Sequence, residues 1–576
     1  MAASFLDFFV LLLILSVSAG IGVYHAVRAS GENSVENYFL GNRKMNPVPI
    51  IFSIIVSSLS AVTYLGTPIE TYLYGPLFWI VIFNKFIAAW IISRCFLPVF
   101  YRLRLTSIYE YLQLRFNTAV RCSVLVVDVA NTVVYMGIIV YSPALALQTV
   151  TGFNLTISIL VTGSVCTFYT AIGGLKAVVW TDVFQAVMML IGFYAIIIYG
   201  CIEIGGPKEI FERLQDGGRG ALVDFSLDPT IRYSFWSLMI GGLFFILAML
   251  IKQPIIQRFN SCATERQAQM ACTFGVLGIG VIELTAVMSG IILFSYFSDC
   301  DPVSDGKIQR HDQLVPYFIL TLFGDMPGFV GLLLGGAFCA SLSSVSSLVN
   351  ALAAITGEDV IKRLWKDIDK DRYTRLVKIV SAFYGILATT VAFLATRLGG
   401  ILYAALSFMG IFGAPVLGVF SLGIFVPKAN SKGVLVGLVA GVAVGMFLKI
   451  GADIYPPVYH EIPAVMTSGC VNATTVLPST SSTVRSPTAS VNGLSCIFSI
   501  SYLYYSFVTF WITFLVGSLV GVITNTKSDR LKVDPKLLSP IVLKYMPLSY
   551  QRTEGNEDVL SEEDKKRNSF NGLEEI

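Results

Sequence analysis

Charged residues and metal-binding side chains are scarce in this sequence of 576 residues. Only 13% of the residues are charged, about half the share typical of soluble proteins, which argues against a soluble globular fold. The three histidines lie far apart and the ten cysteines include no Cys-x-x-Cys pair, which argues against a zinc or redox centre. No basic surface with interleaved aromatic residues suggests a nucleic-acid partner, and no nucleophile or paired-acid constellation suggests an enzyme.

Long apolar stretches, by contrast, recur along the chain. Each is about 20 residues long, enough to cross the core of a bilayer as a helix, and the shorter alternating segments of a transmembrane β-barrel are missing. The pattern predicts an all-α polytopic membrane protein with about thirteen transmembrane helices. We place the spans near residues 5–27, 48–68, 75–100, 119–146, 153–175, 181–203, 234–254, 271–297, 314–352, 375–397, 400–427, 431–453 and 502–524. The stretch 314–352 is too long for one straight crossing and is expected to include a helix that does not span.

The distribution of basic residues predicts the orientation. The first span, 5–27, has no basic segment before it, so it is expected to be retained with the N-terminus outside. Most Arg and Lys residues then fall on the side reached after each odd-numbered span, including the run from Lys362 to Lys378. The positive-inside rule therefore places the C-terminal tail, 526–576, in the cytoplasm, after a transmembrane domain over 1–525. We expect a multi-pass protein of the plasma membrane. The acidic, polar composition of the end of that tail, residues 553–576, predicts that the tail is largely disordered.

The same orientation places the loop 454–500 outside the cell. This loop is rich in Ser, Thr and Pro and contains the sequon Asn472-Ala473-Thr474, so glycosylation of Asn472 is predicted. Cys300, Cys470 and Cys496 all fall on this side and offer one disulfide. The sequence leaves open which two of them pair.

Two predicted spans contain residues that interrupt a helix inside the bilayer. The second span has a run of small and hydroxyl residues over 56–63, followed by Gly66 and Pro68, and the seventh has Gly241-Gly242 and then Lys252-Gln253-Pro254. A helix broken at mid-membrane frees backbone carbonyls that can bind an ion. Five spans separate the starts of the two helices, the offset of two five-helix repeats of opposite topology. The alternative is that Ser and Gly only let helices pack closely.

Two groups of polar residues within spans are candidate cation ligands. The adjacent hydroxyls of Ser343 and Ser344 are neutral oxygens suited to a weakly held monovalent cation, although a serine can also bond to a carbonyl of its own helix. Asp182 and Gln185 stand at positions i and i+3 where the sixth span is predicted to open. Asp182 is alternatively an ordinary acid at a helix N-terminus.

Ionisable residues inside spans are functional candidates because lipid disfavours their charge. Lys85 lies near the middle of the third span. Asp128 lies in the fourth, with Asn131 and Tyr135 at i+3 and i+7 on the same helix face. A pair between Lys85 and Asp128 would neutralise both charges. Such a pair is equally consistent with a structural ion pair and with contacts to a substrate.

Several motifs resemble those of the sodium:solute symporter family. Gly152–Leu155 and the run Tyr169–Ala177 resemble the family signature, and Val178–Gln185 continues it. Further blocks resemble the branch that holds the sodium-coupled monocarboxylate, multivitamin and iodide transporters, and most closely the monocarboxylate members. These blocks are 97–103, 105–112, 300–302 and 451–457. The resemblance extends from residue 5 to about residue 525.

The resemblance implies a LeuT-like fold of two inverted five-helix repeats, alternating access, sodium as the coupling ion and no other cofactor. It implies that Ser343 and Ser344 are the hydroxyl pair of the common sodium site, faced by carbonyls around Ser57 and Ser60. We predict a second cation site, formed by Ser57, Asp182, Gln185 and Gln253.

The sequence departs from the family pattern where a substrate is expected to bind. Relatives tend to read Trp-x-x-x-Tyr-Gly-Val-Asn-Gln through the seventh span. Here Phe245–Gln253 lacks that Trp and Tyr and has Lys252 in place of the Asn, and Lys85 stands where relatives tend to have an uncharged residue. The substrate pocket is therefore altered. The predicted substrate contacts are Lys85, Asp128, Tyr135, Thr63, Ser58 and Lys252.

These observations predict a sodium-coupled secondary active symporter, not an enzyme, whose partners are sodium ions, a small anionic solute and the lipid bilayer. The expected cargo is a monocarboxylate such as lactate, pyruvate or a short-chain fatty acid, or a carboxylated vitamin such as biotin or pantothenate. Two alternatives stay open. One is an iodide or other anion symporter of the same branch, and the other is a solute sensor on the same scaffold that does not transport.

Overall fold

The computed structural model describes residues 4–29, 40–172, 175–365, 367–397, 400–455, 467, 469–470, 497–524 and 533–545. Within these ranges the regular structure is helical, and the only β contact is an isolated bridge between Met45 and Cys262. The predicted all-α polytopic fold is confirmed. Ten helices are long and apolar enough to cross a membrane: Phe5–His25, Pro76–Leu103, Thr118–Thr151, Leu175–Ile204, Glu265–Tyr296, Phe329–Leu364, Arg372–Ala395, Ile401–Phe425, Ser431–Ile454 and Tyr504–Ile523.

Two further pairs of helices are each bent by 60° at a short break. We call Pro47–Ser58 with Val62–Tyr74 the first broken helix, and Ser237–Leu250 with Gln253–Ser261 the second broken helix. Counting each pair as one span gives twelve candidate spans over the described ranges, so the predicted thirteen are not all accounted for. Shorter helices complete the order: Ile108–Arg115, Leu155–Ile172, Pro207–Asp216, Leu314–Phe323 and Pro540–Lys544.

Three predicted boundaries differ from the structure. The apolar part of the fifth predicted span is confined to Leu155–Phe168, which is shorter than the other spans. The stretch 314–352 is divided into Leu314–Phe323 and Phe329–Leu364, so its excess length is a separate short helix, as expected. The sixth span begins at Leu175, which places Asp182 about two turns inside the helix. Asp182 is therefore not an acid at a helix N-terminus.

Local residues explain both breaks. At the first, Leu59 is extended and the Ser60 hydroxyl accepts a hydrogen bond from the Val62 amide at 3.1 Å, which restarts the helix as a wide turn. At the second, Lys252 is extended and Pro254 follows at the start of Gln253–Ser261. Proline has no amide hydrogen, so it cannot donate the hydrogen bond that would extend the preceding helix. In the first turn of a new helix that donor is not needed, and proline fits well there.

The centre of the fold is the helix Phe329–Leu364, which we call the serine helix. It is the most thoroughly buried span, and it packs against Pro47–Ser58, Thr118–Thr151 and Leu175–Ile204. Small residues allow this close packing. At Gly331 even a Cβ atom would lie 1.9 Å from the backbone oxygen of Asp7 on the first helix, so no other residue fits there without a shift of the two helices.

Two adjacent contacts join the segment 469–470 to the segment that follows the helix Glu265–Tyr296. A disulfide joins Cys300 to Cys470, and the Gly469 amide donates to the Asp299 carbonyl at 3.0 Å. Of the three cysteines predicted to offer one disulfide, these two therefore pair. Cys496 lies outside the described residues, as does the predicted glycosylation site Asn472.

The structure describes one part of the segment 526–576. Residues 533–545 form a short turn and helix against the body of the protein. Leu538 is buried, the Tyr111 hydroxyl donates to the Leu537 carbonyl at 3.1 Å, and the Ser539 amide donates to the Ile424 carbonyl at 3.2 Å. Burial of Leu537 and Leu538 offsets the conformational entropy lost on ordering this segment. The other residues of 526–576 lie outside the described ranges.

Candidate cation and solute sites

Of the two adjacent serines, Ser344 lies against the first broken helix, and Ser343 bonds to Asp182. Ser343 and Ser344 are buried in the middle of the serine helix, and the Ser344 hydroxyl lies 3.5 Å from the Ser57 carbonyl oxygen. That carbonyl belongs to the last turn of Pro47–Ser58, where carbonyls have no partner four residues on. The Ser57 hydroxyl instead donates to Ile54 of its own helix at 3.3 Å. Ser57 therefore presents its backbone oxygen, not its side chain, to the serine pair.

Ser60 is placed differently from the prediction. Its carbonyl accepts from the amides of Thr63 and Tyr64 at 2.9 and 3.1 Å, and is therefore used in restarting the helix. Its hydroxyl lies 3.4 Å from the Tyr135 hydroxyl. Ser60 belongs with Tyr135, a predicted substrate contact, rather than with the serine pair.

Asp182 lies at the centre of a buried network that includes Ser343. One carboxylate oxygen accepts from the Ser343 hydroxyl. The other accepts from the Ser53 hydroxyl and from the Arg258 guanidinium, the latter at 3.0 Å. Arg258 also donates to the Ser347 hydroxyl at 2.6 Å. Both oxygens of Asp182 are thus engaged by protein donors.

Arg258 is a residue that the sequence interpretation did not select. The predicted seventh span, 234–254, ends before Arg258 and so leaves it outside the membrane, but its side chain is 1% exposed within Gln253–Ser261. The sequence did contain a signal. Arg258 follows Pro254 by four residues, which places it one turn beyond a break predicted to lie at mid-membrane.

Two further members of the predicted second cation site, Gln185 and Gln253, form hydrogen bonds with other helices and segments. Gln185 donates to the Ser18 hydroxyl of the first helix at 2.9 Å. Gln253 accepts from the Ile108 amide at 2.9 Å and donates to the Thr106 carbonyl at 2.6 Å. Because the second broken helix turns by 60° just before Gln253, its amide faces the segment that opens Ile108–Arg115. Both polar ends of the Gln253 amide are therefore used by that segment, and no hydrogen bond described joins Gln253 to Asp182.

Lys252, in the second break, forms an ion pair with Asp128. The Lys252 ammonium lies 3.3 Å from one Asp128 oxygen, both side chains are nearly inaccessible, and the Tyr109 hydroxyl donates to the other oxygen. The predicted pair between Lys85 and Asp128 is therefore wrong. The Lys85 ammonium lies 2.8 Å from Glu283 of Glu265–Tyr296, because the inner face of Pro76–Leu103 packs against that helix. The sequence signal for Glu283 was an acid within an apolar span.

The remaining predicted substrate contacts surround the first break. Thr63 lies half-buried in the wide turn Val62–Gly66. Ser58 is buried, and its hydroxyl has no hydrogen-bond partner among the described residues. Asn131, one turn from Tyr135, donates to the Met409 sulfur at 3.6 Å, while its amide oxygen has no partner in the same part of the chain. Buried polar atoms are normally satisfied, so this region is equipped to accept further hydrogen bonds.

Comparison with known proteins gives the family. The model of the sodium:solute symporter family matches residues 38–441. The chain belongs to that family. The symporter is 40% identical to sodium-coupled monocarboxylate transporter 2 of Mus musculus over 541 residues, which is 93% of this chain and 86% of the relative. It is 40% identical to sodium-coupled monocarboxylate transporter 1 of Homo sapiens, over 92% of this chain and 89% of that relative. It is 39% identical to the sodium/iodide cotransporter of Homo sapiens, over 92% of this chain and 85% of that relative.

A solved structure shows the fold of the symporter. A Na+-coupled sialic acid symporter in a substrate-bound, outward-open state superposes with a TM-score of 0.71 at 22% sequence identity, covering 90% of this chain and 98% of that one. The predicted LeuT-like architecture is thereby confirmed. Sodium is the coupling ion of this transporter family, so the predicted sodium-coupled symport is confirmed as well.

Proposed function

We propose that this symporter imports a small organic monocarboxylate across the plasma membrane, with its N-terminus outside and its C-terminus in the cytoplasm. Relatives named for sodium-coupled monocarboxylate transport, 40% identical over most of the chain, support this cargo class. The observation that carries the proposed sodium site is the serine pair on the serine helix, with the Ser344 hydroxyl 3.5 Å from the Ser57 carbonyl of the first broken helix.

Sodium binds in this proposal between two elements that can move relative to each other. Ser343 and Ser344 offer hydroxyl oxygens from the serine helix, and Ser57 offers a carbonyl from Pro47–Ser58. An ion held by both favours the arrangement in which they lie close together, and it shifts the conformational equilibrium by its difference in affinity between the states. At a membrane potential of roughly −70 mV, each inward sodium ion adds about 1.6 kcal/mol of driving force.

The solute binds in this proposal between the two breaks. Ser58, Thr63 and Tyr135 offer hydroxyl groups around the first break, and Lys252 offers a positive charge at the second. Lys252 is already paired with Asp128, so a solute carboxylate competes with Asp128 for the ammonium group, and the pair limits how tightly an anion is held. Lys85 was also predicted to contact the solute, but its charge is balanced by Glu283, which supports a structural role.

The proposed cargo is tested by uptake of a panel of radiolabelled solutes in sodium and in choline medium. The panel contains lactate, butyrate, biotin, pantothenate, iodide and glucose. We expect accumulation of lactate or butyrate in sodium medium only. Accumulation of glucose but of no anion would refute the proposed cargo class.

Iodide is the second candidate, because the human sodium/iodide cotransporter is 39% identical to this chain over 550 residues. Uptake of iodide without uptake of any carboxylate would favour it. A sensor that does not transport would instead show sodium-dependent currents on addition of a solute, with no accumulation of label. Uptake of the panel, together with recordings of sodium-dependent current, therefore separates all three functions.

A further inference from the structure

The guanidinium of Arg258 is the most deeply buried positive charge close to the proposed sodium site. Its Nε donates to the Ser53 hydroxyl at 2.7 Å, one terminal nitrogen donates to the Pro254 carbonyl at 2.8 Å, and the other donates to Asp182 at 3.0 Å and to Ser347 at 2.6 Å. Asp182 in turn accepts from Ser343. Every nitrogen of the guanidinium is therefore engaged, and one hydrogen bond separates Asp182 from the proposed sodium ligand.

We propose that Arg258 is a built-in cation that fills the place of a second sodium ion beside Asp182, and that Asp182 positions Ser343 without itself binding sodium. The proposal rests on the sodium site proposed above at Ser343 and Ser344. The predicted second sodium site at Asp182 is, in this proposal, occupied by the guanidinium of Arg258 instead of by an ion.

The balance of charge and ligands supports this assignment. Asp182 carries one negative charge and Arg258 one positive charge, and both side chains are fully buried. A sodium ion added to this pair would leave a net charge without a partner in the protein interior, which is strongly unfavourable. The oxygens that could hold such an ion, those of Ser53 and Ser347, already accept from the guanidinium.

The direction of the hydrogen bond from Ser343 shows how Asp182 acts at a distance from the ion. A hydroxyl has one hydrogen and two lone pairs. Because Ser343 donates its hydrogen to Asp182, its lone pairs stay available to a cation. A carboxylate acceptor also increases the negative partial charge on the hydroxyl oxygen. Asp182 is thus a positioning residue for the proposed sodium ligand.

The same network connects the sodium site to the second broken helix. Arg258 lies in Gln253–Ser261, and its partners belong to the first broken helix, the sixth predicted span and the serine helix. Lys252, in the break that precedes Gln253–Ser261, contacts Asp128 in the proposed solute region. A displacement of Gln253–Ser261 therefore changes the surroundings of Asp182 and of Lys252 together. Movement of this one helix thus couples the proposed sodium site to the proposed solute site.

The test counts the sodium ions bound per chain, using radioactive sodium and the purified full-length protein. Arg258→Gln removes the built-in cation and leaves Asp182 with hydroxyl groups of Ser53, Ser343 and Ser347. We expect this variant to bind about one more sodium ion per chain than the wild type, and sodium to raise its melting temperature more than that of the wild type. The double variant Asp182→Asn/Arg258→Gln has no charge to attract the extra ion and should return to the wild-type count. An unchanged count in Arg258→Gln would overturn the proposal.

Ser347→Ala provides a second measurement with a milder substitution. Because Ser347 serves Arg258 in this proposal, its loss should leave the number of bound sodium ions as in the wild type. Loss of one ion in Ser347→Ala would show that sodium itself uses this hydroxyl, and the proposal would be wrong even if Arg258→Gln could not be purified. Ser343→Ala/Ser344→Ala tests the proposed function separately. If that variant binds as much sodium as the wild type, the sodium site fails, whatever the result for Arg258.

Discussion

The two broken helices bend by the same 60° but differ in their surroundings. The first break is lined by neutral groups: the Ser57 carbonyl, the hydroxyls of Ser60 and Tyr135, and the serine pair. The second is flanked by charges, with Lys252 paired to Asp128 and Arg258 paired to Asp182. Neutral oxygens hold an alkali ion weakly enough to release it, whereas buried ion pairs fix geometry and strongly resist the loss of one partner. Bends of equal size in the two repeats thus suit different tasks: the first suits reversible binding of an ion, and the second suits fixing the geometry of the helices around it.

The largest effect is expected from unbalancing the charge beside the second break. Asp182→Asn leaves the Arg258 guanidinium buried without a counter-charge, which destabilises the fold by about 3–5 kcal/mol. The melting temperature of the purified protein should fall well below that of the wild type. Asp182→Asn/Arg258→Gln removes both charges and should recover part of this loss. A single variant as stable as the wild type would show that the pair does not hold the second broken helix.

The next effect concerns the neutral ligands at the first break. Ser343→Ala/Ser344→Ala removes two hydroxyl oxygens, and we expect the sodium concentration for half-maximal uptake to rise by about tenfold or more, equivalent to at least ~1.4 kcal/mol. Surface expression should be retained. Ser381→Ala is the matched control, because Ser381 is a buried serine that bonds only to Val377 of its own helix at 3.0 Å among the contacts described. Unchanged sodium dependence in the double variant would reject the site.

A smaller effect is expected from replacing the ammonium group at the second break by a neutral amide. Lys252→Asn removes the ammonium and leaves Asp128 to repel an anion. KM for the proposed monocarboxylate cargo should therefore rise by about tenfold, and KM for the neutral amide of that acid should change little. Lys252→Asn/Asp128→Asn removes the repulsion and should recover part of the affinity. Equal changes for the acid and the amide would indicate that Lys252 only stabilises the fold.

The smallest effect on solute binding is expected at Lys85, away from both breaks. Lys85→Gln leaves Glu283 unpaired and should reduce surface expression, whereas Lys85→Gln/Glu283→Gln replaces an ion pair by two neutral amides and should restore it. In the double variant, KM for the proposed monocarboxylate cargo should stay within about twofold of the wild-type value. A loss of anion preference in that variant would make Lys85 a solute contact after all.

Local signals in the sequence were sufficient for much of the site. The run over 56–63 and Pro254 predicted where two helices break, because the hydrogen bonds of a helix depend on residues within one turn. The serine pair was found for the same reason, as two adjacent hydroxyls in an apolar span. The ordered segment at 533–545 was missed, because a short pair of leucines in a polar tail gives no sign of the surface that buries it.

The sequence by itself determined the membrane-spanning helices, the positions of the two breaks and the kind of ligand beside the first, since apolar length, proline and hydroxyl groups act within a turn or two of the chain. Only the tertiary structure decided which buried charges are partners. Lys85 and Glu283, Lys252 and Asp128, and Arg258 and Asp182 are each separated by many residues. A charge within a span demands a partner, but its identity depends on which helix faces meet, and that is set by the packing of the whole bundle.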